Sequence, residues 1–319
     1  MKTKAIHRIF DNHCDVLSKM LIHPQIDFFD HTHLDVTLPR LREANVRVQS
    51  FAIYLPERLE QAGFWHVLRC VELFHEKILV HPEMIFVRSV EDLEKVRKGA
   101  GIGALLSLEG ADGLHGNFTY LKTLFYLGVR SLGITWNYAN WAADGVLEPR
   151  QGGLTLKGKK LVQECNKLGI LIDVSHSTEK GFWEIAELSR SPLMASHSNV
   201  YSVCANARNL RKKQIEYLIA TDGRMGLTFV PQFVANASSA VISQLIGHLD
   251  YVCAIGGVNH IGLGSDFDGI DQWVTGLEHT GKFPGLINEL GKHFKDTEIE
   301  GFLYRNWYEY YAKNLPVPI

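Results

Sequence analysis

The sequence predicts an α/β fold: a (β/α)₈ TIM barrel, filling residues 1–319 as a single domain. Three observations carry the barrel. Short apolar or β-branched runs alternate eight times with longer segments of helical periodicity, the pattern of a parallel sheet with crossover helices. No Gly/Ser/Pro linker, charge block or low-complexity tract divides the chain. No G-x-G-x-x-G follows an early strand, which disfavours the open dinucleotide-binding sheet and leaves the closed barrel.

The expected strands, in order, begin with His7–His13 (HRIFDNH). Val46–Tyr54, Ile102–Leu108, Val129–Thr135 and Ile170–Val174 follow, then Leu193–Ser196, Arg224–Val230 and Ile261–Gly264. Helical periodicity marks Arg58–Phe74, Leu156–Leu168, Thr178–Leu188, Lys212–Ala220 and Val241–Ile255. It returns over Ile287–Phe294 and Ile299–Lys313. Gly169 after the second of these helices, and Gly256 with Gly257 after the fifth, are helix stop signals.

Composition narrows the function. Hydrophobic residues make up 46% of the chain and charged residues 21%, ordinary for a globular protein. A formal net charge of −2 gives no general attraction to nucleic acid or to an anionic membrane, so neither is an expected partner. No apolar run approaches the length of a membrane span or a signal sequence. The five cysteines (Cys14, Cys70, Cys165, Cys204, Cys253) are odd in number and form no C-x-x-C. They are expected as reduced thiols, and the protein as cytoplasmic.

Residues able to bind metal fall at the expected strand ends. Asp11, His13 and Asp15 close the first strand and Glu109 the third. His176 follows the fifth, His197 the sixth and Asp266 the eighth. In a (β/α)₈ barrel these ends share one rim, where active sites lie. Imidazole and carboxylate suit a borderline cation such as zinc. His13 and Asp15, two apart in extended backbone, face the same side. His176 and His197, from adjacent strands, provide a second pair. Glu109 is placed to bridge the two, and two cations would hold a hydroxide between them. Each residue alone has a bland explanation, a hydrogen-bonded loop histidine or a helix-capping aspartate; the conjunction carries the reading. His31, His33, His81, His248, His260, His279 and His293 are assigned to surface or packing. Cys14, between two proposed ligands, points the other way and is assigned to packing.

Five stretches, DNHCD (11–15), SLEGAD (107–112), DVSHST (173–178), SHSNVYSVCANARN (196–209) and GLGSDFDG (262–269), resemble the membrane dipeptidase (renal dipeptidase) family of zinc metallopeptidases. The resemblance implies that the barrel is of the metal-dependent amidohydrolase type and forms the catalytic domain of a binuclear zinc dipeptidase, which cuts free dipeptides through a metal-bridging hydroxide. His13 and Asp15 match ligands of the first zinc, His176 and His197 those of the second, and Glu109 the bridging carboxylate. Asp266 matches the carboxylate that transfers the proton, and Arg208 a substrate-binding arginine, reading either the substrate carboxylate or the oxyanion. Family members form homodimers, which makes a second copy the expected partner. One departure stands out. Animal members carry a histidine after a Leu-Thr pair at the fourth strand end, whereas this chain reads GITWNYAN. Trp136 takes that place, so a substrate contact falls to its indole N–H or to the amide of Asn137, unless Trp136 is a pocket wall. Phe233 lies near the place of a tyrosine in the animal members. The competing readings are a barrel hydrolase of another amide, a lactone or a phosphoester, and an inactive binding protein.

Overall fold

The computed structural model describes residues 7–317, apart from 57, 58, 60–62 and 236–238. Eight parallel strands form the barrel: β1 (Ile9–Asp11), β2 (Val46–Tyr54), β3 (Ile102–Glu109), β4 (Val129–Gly133), β5 (Leu171–Asp173), β6 (Met194–Ala195), β7 (Arg224–Leu227) and β8 (Ile261–Leu263). Each matches an expected strand. Their hydrogen-bonded order is β1-β2-β3-β4-β5-β6-β7-β8, and β8 returns to β1. Closure is set by Asp11 against Leu263 on one side of β1 and by Phe10 against Val48 on the other. Both faces of the strands are covered, so the runs are mostly apolar rather than alternating; β4 and β8 are buried over their whole length.

Helices cover the outside. Leu156–Leu168 starts on Thr155, whose side chain accepts from the Gly158 amide, and ends on Gly169 in the left-handed region at φ 75°. Glu179–Leu188, Lys212–Ala220 and Ile242–Ala254 follow the expected segments, with Thr178 capping the first of them. The expected helix from Arg58 begins outside the described residues at its first position, and is observed over Phe64–Leu73. Further helices that the periodicity did not single out are Val16–Ile22, Leu38–Glu43, Val90–Arg97, Phe118–Tyr126 and Pro231–Val234.

The two ends of the barrel differ. At the end where strands begin, the C-terminal helix Asn306–Asn314 packs its aromatic side chains against the strands. Trp307 donates from Nε1 to the Leu263 carbonyl at 2.9 Å, and Tyr310 from its hydroxyl to Pro192 at 2.7 Å. Tyr311 stacks on Phe10, centroids 5.3 Å apart, and donates to Asn12 Oδ1 at 2.7 Å. Phe10, Val48, Leu105, Leu171 and Met194, from five strands, share one buried cluster with these aromatics. That end is plugged, which leaves the end where the strands finish.

Candidate active site

After β1 the chain keeps its place in the sheet as far as Cys14, which bridges to Phe267, held by hydrogen bonds from the Asn12 amide to Leu263 O and from the Asp15 amide to Phe267 O. His13 and Asp15 therefore project to one side while Cys14 packs into the apolar core. Asp11, fully buried, accepts from Ser265 N (2.8 Å), Ser265 Oγ (2.6 Å) and Gln49 Nε2 (3.1 Å), which ties the end of β1 to the middle of β2 and to the turn after β8. Burial raises its carboxyl, and those donors oppose the rise.

Glu109, the last residue of β3, stands between the two histidine groups. Its Oε2 lies 3.3 Å from His13 Nε2, and its Oε1 lies 2.8 Å from His176 Nε2 and 3.6 Å from His197 Nε2. His13 Nε2 is also 3.3 Å from Asp15 Oδ2 and 3.7 Å from Asp266 Oδ1. The structure thus brings together all six side chains that the sequence nominated, from five separate strand ends.

Their electrostatics are those of a closely packed charge cluster. Burial drives Asp266 up to about 7, helped by the charges of Asp15 and Glu109 against His13 and Arg208. Burial lowers His176 to about 4, with the Arg208 charge adding to it, and lowers His197 well below the usual imidazole value. His13 runs the other way: burial would depress it, but Glu109 and Asp15 outweigh burial and raise it well above 6.5. Asp266 occupies left-handed backbone, φ 67°, a conformation that aspartate tolerates better than most residues, and this turn aims its side chain into the mouth.

The cluster fits divalent cations. His13 Nε2 and Asp15 Oδ1 are buried without a hydrogen-bond partner, a costly state for polar atoms. His176 Nε2 and His197 Nε2 face each other at 2.9 Å. Both rings offer their Nδ1 elsewhere, so two lone pairs meet beside a carboxylate oxygen, an arrangement that a cation stabilises. Ligand atoms of His13, Glu109 and His197 lie within 4.8 Å of one another, as do those of His13, Asp15 and Asp266. Imidazole with carboxylate is the donor set of zinc and similar ions.

The remaining nominated residues line the same cleft, which encloses about 510 Å³ of open space. Arg208, buried, donates to the carbonyls of Ser175 and His197, places Nη2 3.1 Å from His176 Nε2 and leaves Nε unpartnered. Its loop is pinned by Asn199, which exchanges two hydrogen bonds with Thr228, and by Asn209, which donates to Cys204 O and Phe233 O. That pinning accounts for much of the long 196–209 motif. Trp136 packs beside Tyr54, ring centroids 5.0 Å apart, and forms a wall 6.0 Å from the His176 ring. Asn137 Oδ1 accepts from His176 Nδ1 at 2.9 Å, so its side chain orients the His176 ring. Phe233 lies under the Arg208 guanidinium at 5.4 Å.

Sequence reasoning passed over Tyr54, Val230 and Ile270, which also line the cleft. Apolar residues at strand ends carry no signal that separates a pocket wall from core. It also passed over Asp268, the second aspartate of SDFDG. This carboxylate accepts from Asp35 N (2.8 Å), Val36 N (3.0 Å) and Lys19 Nζ (2.9 Å), tying residues 35 and 36 to the rim.

Residues 3–310 match the model of the membrane dipeptidase family, peptidase family M19. Dipeptidase aclJ of Aspergillus oryzae is 31% identical over 280 residues, covering 83% of this chain and 66% of that protein. Dipeptidase 3 of Rattus norvegicus is 28% identical over 289 residues, 88% of this chain and 59% of that protein. The chain thus spans about two thirds or less of these two relatives. Among solved structures, a metallopeptidase from Rhodobacter sphaeroides carrying a phosphinate mimic of the dipeptide L-Ala-D-Ala superposes with a TM-score of 0.88 at 26% identity, over 97% of this chain and 99% of that one. The dipeptidase AC structure gives 0.89 at the same identity and coverage.

Proposed function

The chain belongs to the membrane dipeptidase family of metallopeptidases, and from that premise we propose that it hydrolyses the peptide bond of free dipeptides with two divalent cations, zinc in our reading, at the open end of the barrel. The observation that carries the proposal is the convergence of His13, Asp15, Glu109, His176 and His197, with His13 Nε2 and Asp15 Oδ1 buried and without a hydrogen-bond partner.

His13 and Asp15 would hold one cation, His176 and His197 the other, and Glu109, with one oxygen toward each pair, would join them. Such ions supply water that is acidic enough to attack near neutral pH and positive charge that polarises the amide carbonyl. The protein's own groups do the rest. Asp266 sits beside His13 at the mouth, in position to accept a proton from the attacking water and return it to the leaving amine. Arg208, fixed by backbone carbonyls, offers its buried Nε–H to a substrate carboxylate or to the tetrahedral oxyanion. Trp136 and Tyr54 wall the cleft and limit its length. A short cleft with a fixed cation suits a substrate whose carboxylate lies close to the bond that breaks.

The five cysteines are free, four of them buried. This supports a reducing, cytoplasmic setting, which belongs to the same proposal.

A substrate panel tests the reading. Zinc-loaded protein should release amino acids from free dipeptides, L-Ala-D-Ala among them because the Rhodobacter sphaeroides relative binds its mimic. It should leave C-terminal amides, lactones and phosphotriesters far slower. Faster turnover of a lactone or phosphotriester would replace the proposal with a different barrel hydrolase, and no turnover of any class would make the chain a binding protein.

A further inference from the structure

Each histidine of the second cation pair has a partner on Nδ1, and the two partners differ. His176 leans on Asn137. His197 Nδ1 lies 2.7 Å from Ser196 Oγ, and that hydroxyl in turn contacts Asp173 Oδ2. Asp173 Oδ1 accepts three more hydrogen bonds, from Ser175 N (3.0 Å), Ser175 Oγ (2.7 Å) and Ser196 N (2.9 Å).

The direction of each bond follows from proton counting. A carboxylate only accepts, and a serine hydroxyl has one proton to give. Ser196 gives its proton to Asp173 Oδ2, so its oxygen must accept from His197 Nδ1–H. A neutral imidazole with its proton on Nδ1 has a bare Nε2, and Nε2 is the atom that faces Glu109 and His176. Ser175 Oγ, its own proton given to Asp173, accepts from the His197 amide at 3.1 Å and fixes the backbone as well. We infer that Asp173 is a positioning residue that sets the tautomer of His197 through the Ser196 hydroxyl, so that Nε2 is presented to a cation. The inference rests on the dipeptidase reading for its purpose, but the relay itself is a property of the metal-free protein.

Asparagine at 173 would reverse the relay. Two backbone N–H donors converge on the Oδ1 position, so the amide oxygen must stay there. The NH₂ group is then forced toward Ser196 Oγ, which can no longer donate to it. The hydroxyl proton turns to His197 Nδ1, and the imidazole proton moves to Nε2, where it blocks the cation. This is the outer-shell control of a histidine ligand, with a serine inserted between carboxylate and ring.

The test uses the full chain, with ¹⁵N-histidine NMR on the zinc-free protein and zinc titration with ZnCl₂ on the same samples. Wild type should show His197 protonated on Nδ1. Asp173→Asn should show the proton on Nε2 and a second zinc bound roughly 10–100-fold more weakly, with the first zinc unchanged. Ser196→Thr, which keeps the hydroxyl, should match wild type in both readouts. An Nε2–H tautomer in wild type would overturn the inference without need of any variant, which covers the case of an Asp173→Asn protein that fails to fold. Wild-type tautomer and wild-type zinc affinity in a folded Asp173→Asn protein would overturn it too. If wild type shows Nδ1–H yet binds no zinc, the relay stands and the metal reading falls.

Discussion

Asp266 and His13 differ in what their neighbours ask of them, although their side chains are only 3.7 Å apart. His13 has three carboxylates around one nitrogen and so is held inside the acidic cluster, whereas Asp266 hangs at the mouth in left-handed backbone. Asp266→Asn keeps the size and the turn, since asparagine also tolerates that backbone. It should retain both zinc ions but lower kcat by roughly 10²–10⁴-fold, the usual worth of a general base. Near-wild-type kcat with full metal content would remove Asp266 from proton transfer. At this scale the convergence of His13, Asp15, Glu109, His176 and His197 was legible, because His, Asp and Glu recur at the ends of strands that a barrel brings to one rim. The part played by Asn137 was not. An asparagine at a strand end can face substrate or ligand, and only the 2.9 Å contact with His176 decides.

Among the elements, the strands were legible and several helices were not. A strand buried on both faces must be apolar along its length, as β4 (VRSLG) is apart from a buried Arg130 and Ser131, and that run stands out from its surroundings. The helices Val16–Ile22 and Leu38–Glu43 have seven and six residues, too few for a period of 3.6 to repeat convincingly. Val90–Arg97 did carry a local signal: Ser89 caps it by accepting from the Asp92 amide, with Glu91 and Asp92 in its first turn. The register of β6, β7 and β8 depends on glycines. A Cβ on either Gly226 or Gly264 would overlap the carbonyl oxygen of Ser196, which is backbone and cannot swing aside. Gly264→Ala should therefore cost about 3 kcal/mol in urea unfolding and disturb His197, the next residue after that carbonyl. An unchanged urea midpoint and unchanged zinc affinity would show that the strands have room to separate.

For the molecule as a whole, the plugged end carries aromatic packing and the open end carries the candidate site. The C-terminal helix is tied to the start of β7 by a small ion cluster in which Asp222 meets Arg224 and Lys313. Burial pushes the Asp222 carboxyl up, but Lys313 and Arg224 outweigh it and hold it at about 2. The unfolded value is about 4, so the folded value is depressed. The pair's contribution is then complete above about pH 4 and fades as pH falls toward 2. Asp222 is 43% exposed, so solvent screening leaves about 0.5 kcal/mol. In metal-free protein, Asp222→Asn should be less stable than wild type by that amount at pH 5, and the gap should narrow at pH 3. A gap that widens on acidification would contradict the assignment. Closure of the sheet, by contrast, was legible only as a fold class. Eight alternations suit a barrel, but the pairing of β8 with β1 joins residues about 250 apart, and no local pattern records it.

The central claim is that one cluster at the open rim holds two cations and hydrolyses dipeptides with them. Stepwise addition of ZnCl₂ to the stripped protein, following bound zinc and dipeptide hydrolysis together, tests it most directly. Two equivalents should bind, and activity should rise to a plateau as the second is taken up. Full activity in the stripped protein, or zinc binding without any dipeptide hydrolysis, would contradict it.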